Sequence, residues 1–331
     1  MTVSSTIDVV TIGESMVLFQ PMQEGQIKYA PLFTNSIGGA ESNLALALSR
    51  LGMKTRWISR VGQDPFGEMI LSTLSGEGVD VSRVVADDSA NTAVFFKETK
   101  GFGDPNVYYF RKRSAASKLS IHDIQENWFH GAKHLHVTGI TPALSENAEE
   151  MVREAMRQAR SKGMTISFDP NIRKKLWSEQ KSREVILSLL PLCDVFLPGV
   201  DEAEFLLGEM TEEDYMKAFQ EMGPPVIALK LGEKGAIARY FEHNHIGTAY
   251  KVKQIVDTVG AGDAFAAGFL SVLLNQPDPL SEPSLKESFP HAIARANVMG
   301  ALATQYKGDW EGVLTLEELE GIMCGKQKVT R

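Results

Sequence analysis

Short runs of β-branched and aliphatic residues alternate with amphipathic stretches along most of this 331-residue chain. Apolar runs at residues 7–12, 55–61, 134–137, 165–168, 195–197 and 226–230 predict strands. Between them, apolar positions spaced by three and four predict helices at 41–51, 67–77, 147–162 and 182–190. The boundaries of the third helix are legible: Ser145 precedes the Met151-Val152, Ala155-Met156 stripe, and Gly163 follows its end. A strand–helix rhythm of this kind predicts an α/β fold, with a mostly parallel sheet between two helical layers.

Two stretches break the rhythm. Residues 15–37 carry no helical period, and residues 90–113 read as two strands, 92–97 and 107–111, around a Gly101-Phe102-Gly103-Asp104-Pro105 turn. They predict hairpins inserted at two places, which can pair into one small sheet held over a cleft by loops. Two unrelated surface hairpins are the alternative. The last third predicts helices at 262–274 and 291–306, the latter dense in alanine and glycine, with a Pro/Ser/Asp-rich loop at 276–283. Small residues there suit close helix packing or contact with a flat ligand.

Composition narrows the class. With 43% hydrophobic residues the chain can bury a large core, and it fits a single unit spanning 1–331. A formal charge of -8 and the lack of a long Lys/Arg run disfavour a nucleic-acid surface. Cys193 and Cys324 lie far apart without metal-ligand spacing, so a disulfide scaffold is not expected and a reducing cytoplasm is. The first ten residues lack the pattern of a secretory signal, and no apolar run approaches the roughly 18–20 residues of a membrane span.

The chemistry concentrates in Asp257-Thr258-Val259-Gly260-Ala261-Gly262-Asp263, between a predicted strand at 251–256 and an apolar helix. Glycines at 260 and 262 let backbone approach a ligand closely, and the amides of residues 261–263 are expected to form an anion site at the helix start. A carboxylate beside such a site can accept a hydroxyl proton while the amides hold a phosphoryl group. Simple helix capping by Asp263 is the bland alternative, but capping does not need two upstream glycines. There is no P-loop, no protein-kinase motif set and no early dinucleotide loop.

Gly38-Gly39-Ala40 precedes Asn43 at another helix start, where a polyhydroxylated ligand or a plain helix entry would explain the glycines. Arg111 and Tyr109 share one strand face, and Arg173 follows the 165–168 strand at its C-terminal end, where such folds place ligand groups. Either arginine suits a substrate carboxylate, or ordinary surface ion pairing. Glu202 and Glu204 follow another strand, and one of them can hold Mg²⁺ through water.

These motifs resemble the ribokinase-like, or PfkB, carbohydrate kinases. The 257–263 stretch is similar to that family's C-terminal signature; Gly38 to Asn43 together with Arg60-Val61-Gly62-Gln63-Asp64-Pro65-Phe66-Gly67 is similar to its N-terminal one. The resemblance covers residues 7–306. It implies a ribokinase-like three-layer core, a β-sheet lid, and phosphoryl transfer from ATP with Mg²⁺. It implies Asp263 as catalytic base and Gly260, Ala261 and Gly262 as anion hole. Gly38, Gly39 and Asn43 would bind substrate. Lys230, Gly232, Gly262 and Asn297 would lie on the nucleotide side. Glu202 would face Mg²⁺, although Gly199 stands where the family's Asn-x-x-Glu motif has asparagine. Within the family, Tyr109, Arg111 and Arg173 are most similar to the sugar-acid contacts of 2-keto-3-deoxygluconate kinases. Fructokinases are the alternative, as is a silent sugar-sensing protein. A homo-oligomer through the lid is compatible with the same pattern.

Overall fold

The computed structural model describes residues 6–99 and 105–325; Gly101 to Asp104 of the predicted turn lie outside them. The described residues form fourteen strands: β1 Ile7–Ile12, β2 Met16–Pro21, β3 Phe33–Gly38, β4 Thr55–Ile58, β5 Arg60–Gly62, β6 Val85–Asp87, β7 Val94–Glu98 and β8 Asn106–Phe110 in the first third, then β9 Ala132–Thr138, β10 Thr165–Asp169, β11 Val195–Phe196, β12 Val226–Lys230, β13 Ala236–Tyr240 and β14 His243–Gly247. The main sheet has eight strands in the order β14-β13-β12-β11-β10-β9-β1-β4. Its pairs from β12 through β4 are parallel; β13 and β14 close one edge antiparallel.

Helices cover both faces. Helices α1 Ala40–Arg50, α7 Ala261–Leu273, α8 Glu282–Ala303 and α9 Leu316–Met323 pack on one side, where Leu44, Phe269, Phe289 and Leu319 are buried. Against the other lie α3 Glu146–Ser161, α4 Glu179–Leu189, α5 Val200–Leu207 and α6 Glu212–Glu221, contributing Met151, Val152, Ile186, Leu206 and Phe219. Helix α2, Pro65–Gly76, packs beside the small sheet. The local causes are those expected from sequence. Ser145 accepts a hydrogen bond from the Ala148 amide at 3.2 Å, α3 buries positions 148, 151, 152, 155, 156 and 159, and Gly163 takes a positive φ of 75° after its end.

The two interruptions pair into one four-stranded sheet, β3-β2-β7-β8. Its hairpins are antiparallel, but the join between insertions, β2 to β7, is parallel with Val17 opposite Val94. Three boundaries differ from expectation. The run at 55–61 splits at Ser59 into β4 and β5, which belong to different sheets. Residues 251–256 form no strand, since the sheet edge is already taken by β14 and the Ile255 and Val256 side chains are largely exposed. Helix α8 starts earlier than expected and carries Pro290 internally. Its small residues serve packing: a Cβ on Gly268 of α7 would come within 2.9 Å of the Ala296 Cα on α8.

Candidate active site

The C-terminal ends of β1, β10 and β12, the starts of α1, α5 and α7, and one face of the small sheet enclose a cavity of about 320 Å³. Asp263, in the first turn of α7, lies in it, and Gly260 before the helix holds a left-handed φ of 80°. A Cβ on Gly260 would overlap the Asp309 carbonyl, so both backbone conformation and close approach require glycine there. The Gly262 amide meets no protein acceptor among the described residues, and a Cβ there would have only the Lys230 ammonium, at 3.7 Å, near it. Ala261 departs from expectation. Its amide is spent on the Thr258 carbonyl at 3.3 Å, whereas the amides of Gly260, Gly262 and Asp263 meet no protein acceptor among the described residues.

Asp263 is held from two sides. The Asn43 carboxamide donates to one oxygen at 2.8 Å, and the Asn171 carboxamide reaches the other at 3.5 Å. Asn43 thus orients the carboxylate directly while it also lines the cavity. Burial pushes the Asp263 carboxyl up to about 7; the Asn43 hydrogen bond opposes that shift, the Asp169 charge adds to it, and Arg173 opposes it. A carboxylate with its proton affinity near neutrality is suited to general-base work.

Opposite it stands the acid–cation cluster on β10, β12 and α5. The Lys230 ammonium donates to Asp169 at 2.7 Å, and Glu202 accepts from the backbone amides of Ile172 and Gly199 at 2.8 Å each. Burial disfavours the Lys230 charge, but Asp169 and Glu202 outweigh it and hold the ammonium above its usual range. Burial also raises the Glu202 carboxyl, against the pull of Lys230. Gly199 donates through its backbone, so this bond is independent of the side chain at 199. Gly232 and Asn297 do not line the cavity; the Asn297 carboxamide donates to the Thr248 carbonyl at 3.1 Å near the antiparallel edge.

The small sheet supplies the remaining wall. Phe95 and Tyr109 stack at 5.7 Å, and the Arg111 guanidinium lies 5.5 Å from the Tyr109 ring centre. Arg111 is not a free cation: it pairs with the buried Glu14 at 2.5 Å, and Glu14 also accepts from the Ser114 hydroxyl at 2.5 Å. Arg173, by contrast, has no ion-pair partner within salt-bridge distance among the described residues. Gly38 and Gly39 are close-approach glycines, since a Cβ on either would overlap Asp309 or the Glu14 carbonyl. Behind them Glu41, wholly buried on α1, accepts from the Thr138 and Thr141 hydroxyls at 2.7 Å each.

Five charged or amide side chains that line the cavity are not among the residues the sequence singles out as site candidates: Glu14, Lys97, Asp169, Asn171 and Asp309. Asp169 and Asn171 had a signal, since they flank Pro170 at the same strand end as Arg173. Lys97 is buried and pairs closely with Asp257, and its ammonium lies 3.9 Å from Asp309. Asp257 in turn accepts from the Val259 amide at 3.1 Å and the Gly308 amide at 3.4 Å, so it fixes the turn that leads into Gly260.

The sequence matches the model of the pfkB family carbohydrate kinases over residues 6–315. The 2-dehydro-3-deoxygluconokinase of Bacillus subtilis (strain 168) is 40% identical over 325 residues, covering 98% of this chain and 97% of its own. Fructokinase-1 of Zea mays is 32% identical, covering 91% of this chain and 92% of its own. A solved E. coli structure in complex with ATP and Mg²⁺ superimposes with a TM-score of 0.84 at 28% identity, covering 96% of this chain and 99% of that one. With the Gly38–Asn43 and Gly260–Asp263 stretches brought to one cavity and a family match over nearly its whole length, the chain belongs to the pfkB family of carbohydrate kinases.

Proposed function

We propose that the chain transfers the γ-phosphoryl group of ATP to the primary hydroxyl of 2-keto-3-deoxygluconate, giving 2-keto-3-deoxy-6-phosphogluconate. The observation that carries this reading is Asp263, raised to about 7 and held by Asn43, beside the free Gly262 amide in a cavity that also contains Arg173. Asp263 takes the hydroxyl proton as the oxygen attacks phosphorus in line, and the loop amides stabilise the charge on the transferred group. Arg173 faces the sugar carboxylate, while Tyr109, Arg111 and the backbone of Gly38 and Gly39 shape the pocket around it. The 40% identical relative supports the sugar acid over fructose.

Lys230 sits on the nucleotide side, and the Gly232 turn, with its φ of 58°, lies just beyond it; Asn297 belongs to the more distant edge of that side. No group of three or more metal-ligating side chains occurs among the described residues. The Asp169 and Glu202 carboxylates that line the cavity would suit Mg²⁺ as outer partners, since that ion keeps several waters and binds phosphate oxygens. When bound, the ion supplies charge neutralisation for the phosphates.

The small sheet acts as a lid on a single kinase unit, excluding water as an unwanted acceptor. Phe110 and Tyr108 on that sheet are 63% and 44% exposed, which supports pairing of two chains there. The unpaired Cys193 and Cys324 fit a reducing cytoplasm, and no helix among the described residues is long and apolar enough to cross a membrane.

An ATP-coupled activity panel with 2-keto-3-deoxygluconate, gluconate, fructose and ribose tests the substrate. Turnover confined to fructose would overturn it in favour of a fructokinase. Replacing Arg173 by alanine is expected to raise KM for the sugar acid by about 10- to 100-fold, the loss of a charge-assisted contact, with a much smaller effect on a neutral sugar. Equal effects on both would refute the carboxylate assignment.

The pH dependence follows from the base. Asp263 works deprotonated, so kcat/KM is expected to rise with pH through about 7 and level off above it. Because Arg173 lowers the Asp263 proton affinity, the rise should move to higher pH in Arg173→Ala. A profile unchanged by that substitution would uncouple the two residues.

A further inference from the structure

Tyr109, Arg111 and Arg173 have two sides. Inward they line the reaction cavity; outward they border a groove of about 920 Å³ between the outer strand of the small sheet and the segment after β10. Among the described residues six cations line this groove, Arg111, Lys112, Arg113, Arg173, Lys174 and Lys175, and no acidic side chain does. Two of them are neutralised by neighbours: Arg111 by Glu14 at 2.5 Å and Lys174 by Glu179 at 3.5 Å. The other four have no ion-pair partner within salt-bridge distance among the described residues. Such a concentration stands out on a chain whose formal charge is -8.

We propose that this groove is an anion-capturing vestibule, through which a small sugar carboxylate is drawn to Arg173 before it enters the reaction cavity. The proposal rests on the sugar-acid reading given above and extends it to residues that do not touch the reacting groups. The net negative chain repels an anion at long range, whereas the unpaired cations at the groove create a local attractive potential. Lys112 and Lys175 lie on opposite walls, one following β8 and the other in the loop after β10, and Arg173 is shared with the cavity beyond. An approaching carboxylate therefore meets favourable charge from both walls until the Arg173 guanidinium takes it over. A neutral sugar gains nothing from this path.

The test is the double variant Lys112→Glu/Lys175→Glu in the full chain, with 2-keto-3-deoxygluconate as acceptor and salt varied from about 10 mM to about 0.5 M, spanning Debye lengths from about 30 Å to a few ångströms. At low salt kcat/KM for the sugar acid is expected to fall by about tenfold through KM, with kcat at saturation unchanged; at high salt the gap should shrink to about twofold or less. The kcat/KM for ATP should be unchanged in the same variant. Equal sugar-acid kcat/KM at low salt, a gap indifferent to salt, or a matching loss toward ATP would each overturn the vestibule while leaving the substrate assignment intact. Absence of turnover with the sugar acid in the unmodified protein would overturn both.

Discussion

Asp263→Asn is expected to lower kcat by about 10²- to 10⁴-fold, the range that a positioned general base contributes. The substitution keeps the size and planarity of the side chain, and its new carboxamide can still meet Asn43 and Asn171, which approach the carboxylate at 2.8 and 3.5 Å. What it loses is the capacity to take a proton. Because Asp263 is raised to about 7 mainly by burial, removing its charge relieves an electrostatic cost in the folded protein, so stability should hold or rise at pH 8. Sugar and nucleotide affinities measured by calorimetry should stay within a few-fold of the parent. The decisive comparison is single-turnover phosphoryl transfer with saturating ligands. A rate near that of the parent would remove Asp263 from the base role and leave it as the hydrogen-bond partner of Asn43 and Asn171.

The second large effect concerns Lys97. Its side chain is 1% exposed, pairs with Asp257 and stands 3.9 Å from Asp309. Lys97→Met fills much the same volume but leaves two buried carboxylates without their cation, and breaking a buried pair from one side costs about 3–5 kcal/mol. Burial raises the Asp309 carboxyl to about 7, and Lys97 is the leading opposing influence. Loss of the lysine therefore raises it further. A carboxyl whose folded pKa exceeds its unfolded value loses stability as pH rises, so the deficit of the variant should be larger at pH 8 than at pH 6. Denaturant titrations at the two pH values measure this. Lys97→Arg, which keeps the charge, should recover most of the loss. A deficit below about 1 kcal/mol in Lys97→Met at both pH values would mean that the pair contributes little.

The residues that were legible in the sequence share a physical basis. Hydrophobic period, cap residues and glycines act within one element or one turn, so the strand–helix rhythm and the Gly260-Ala261-Gly262-Asp263 loop announce themselves locally. The two hairpins were legible for the same reason, but their parallel join was not, because Val17 opposite Val94 is a tertiary fact. The same holds for Glu14 with Arg111 and for Lys97 with Asp257 and Asp309: the partners are distant in sequence, and neither residue alone signals the pairing. Of the two readings the sequence leaves open for Arg111, carboxylate contact or ion pairing, the pairing is thus settled only by the buried Glu14, distant in sequence. The 251–256 run failed in the opposite way. Its apolar residues suggested a strand, but strand formation needs an available sheet edge, and β14 occupies that place.

The parallel β2–β7 join has a consequence for synthesis on the ribosome. The β2–β3 hairpin emerges first, yet the neighbour that completes its sheet appears only after the chain has passed Val94. During that interval β2 presents an open edge, with Phe19 not yet stacked on Phe96 at 5.2 Å. The growing chain thus carries a sticky strand through the translation of β4, α1 and α2. Slowed elongation between residues 38 and 94 would lengthen this exposure, making that stretch the place where nascent chains are most prone to associate with one another.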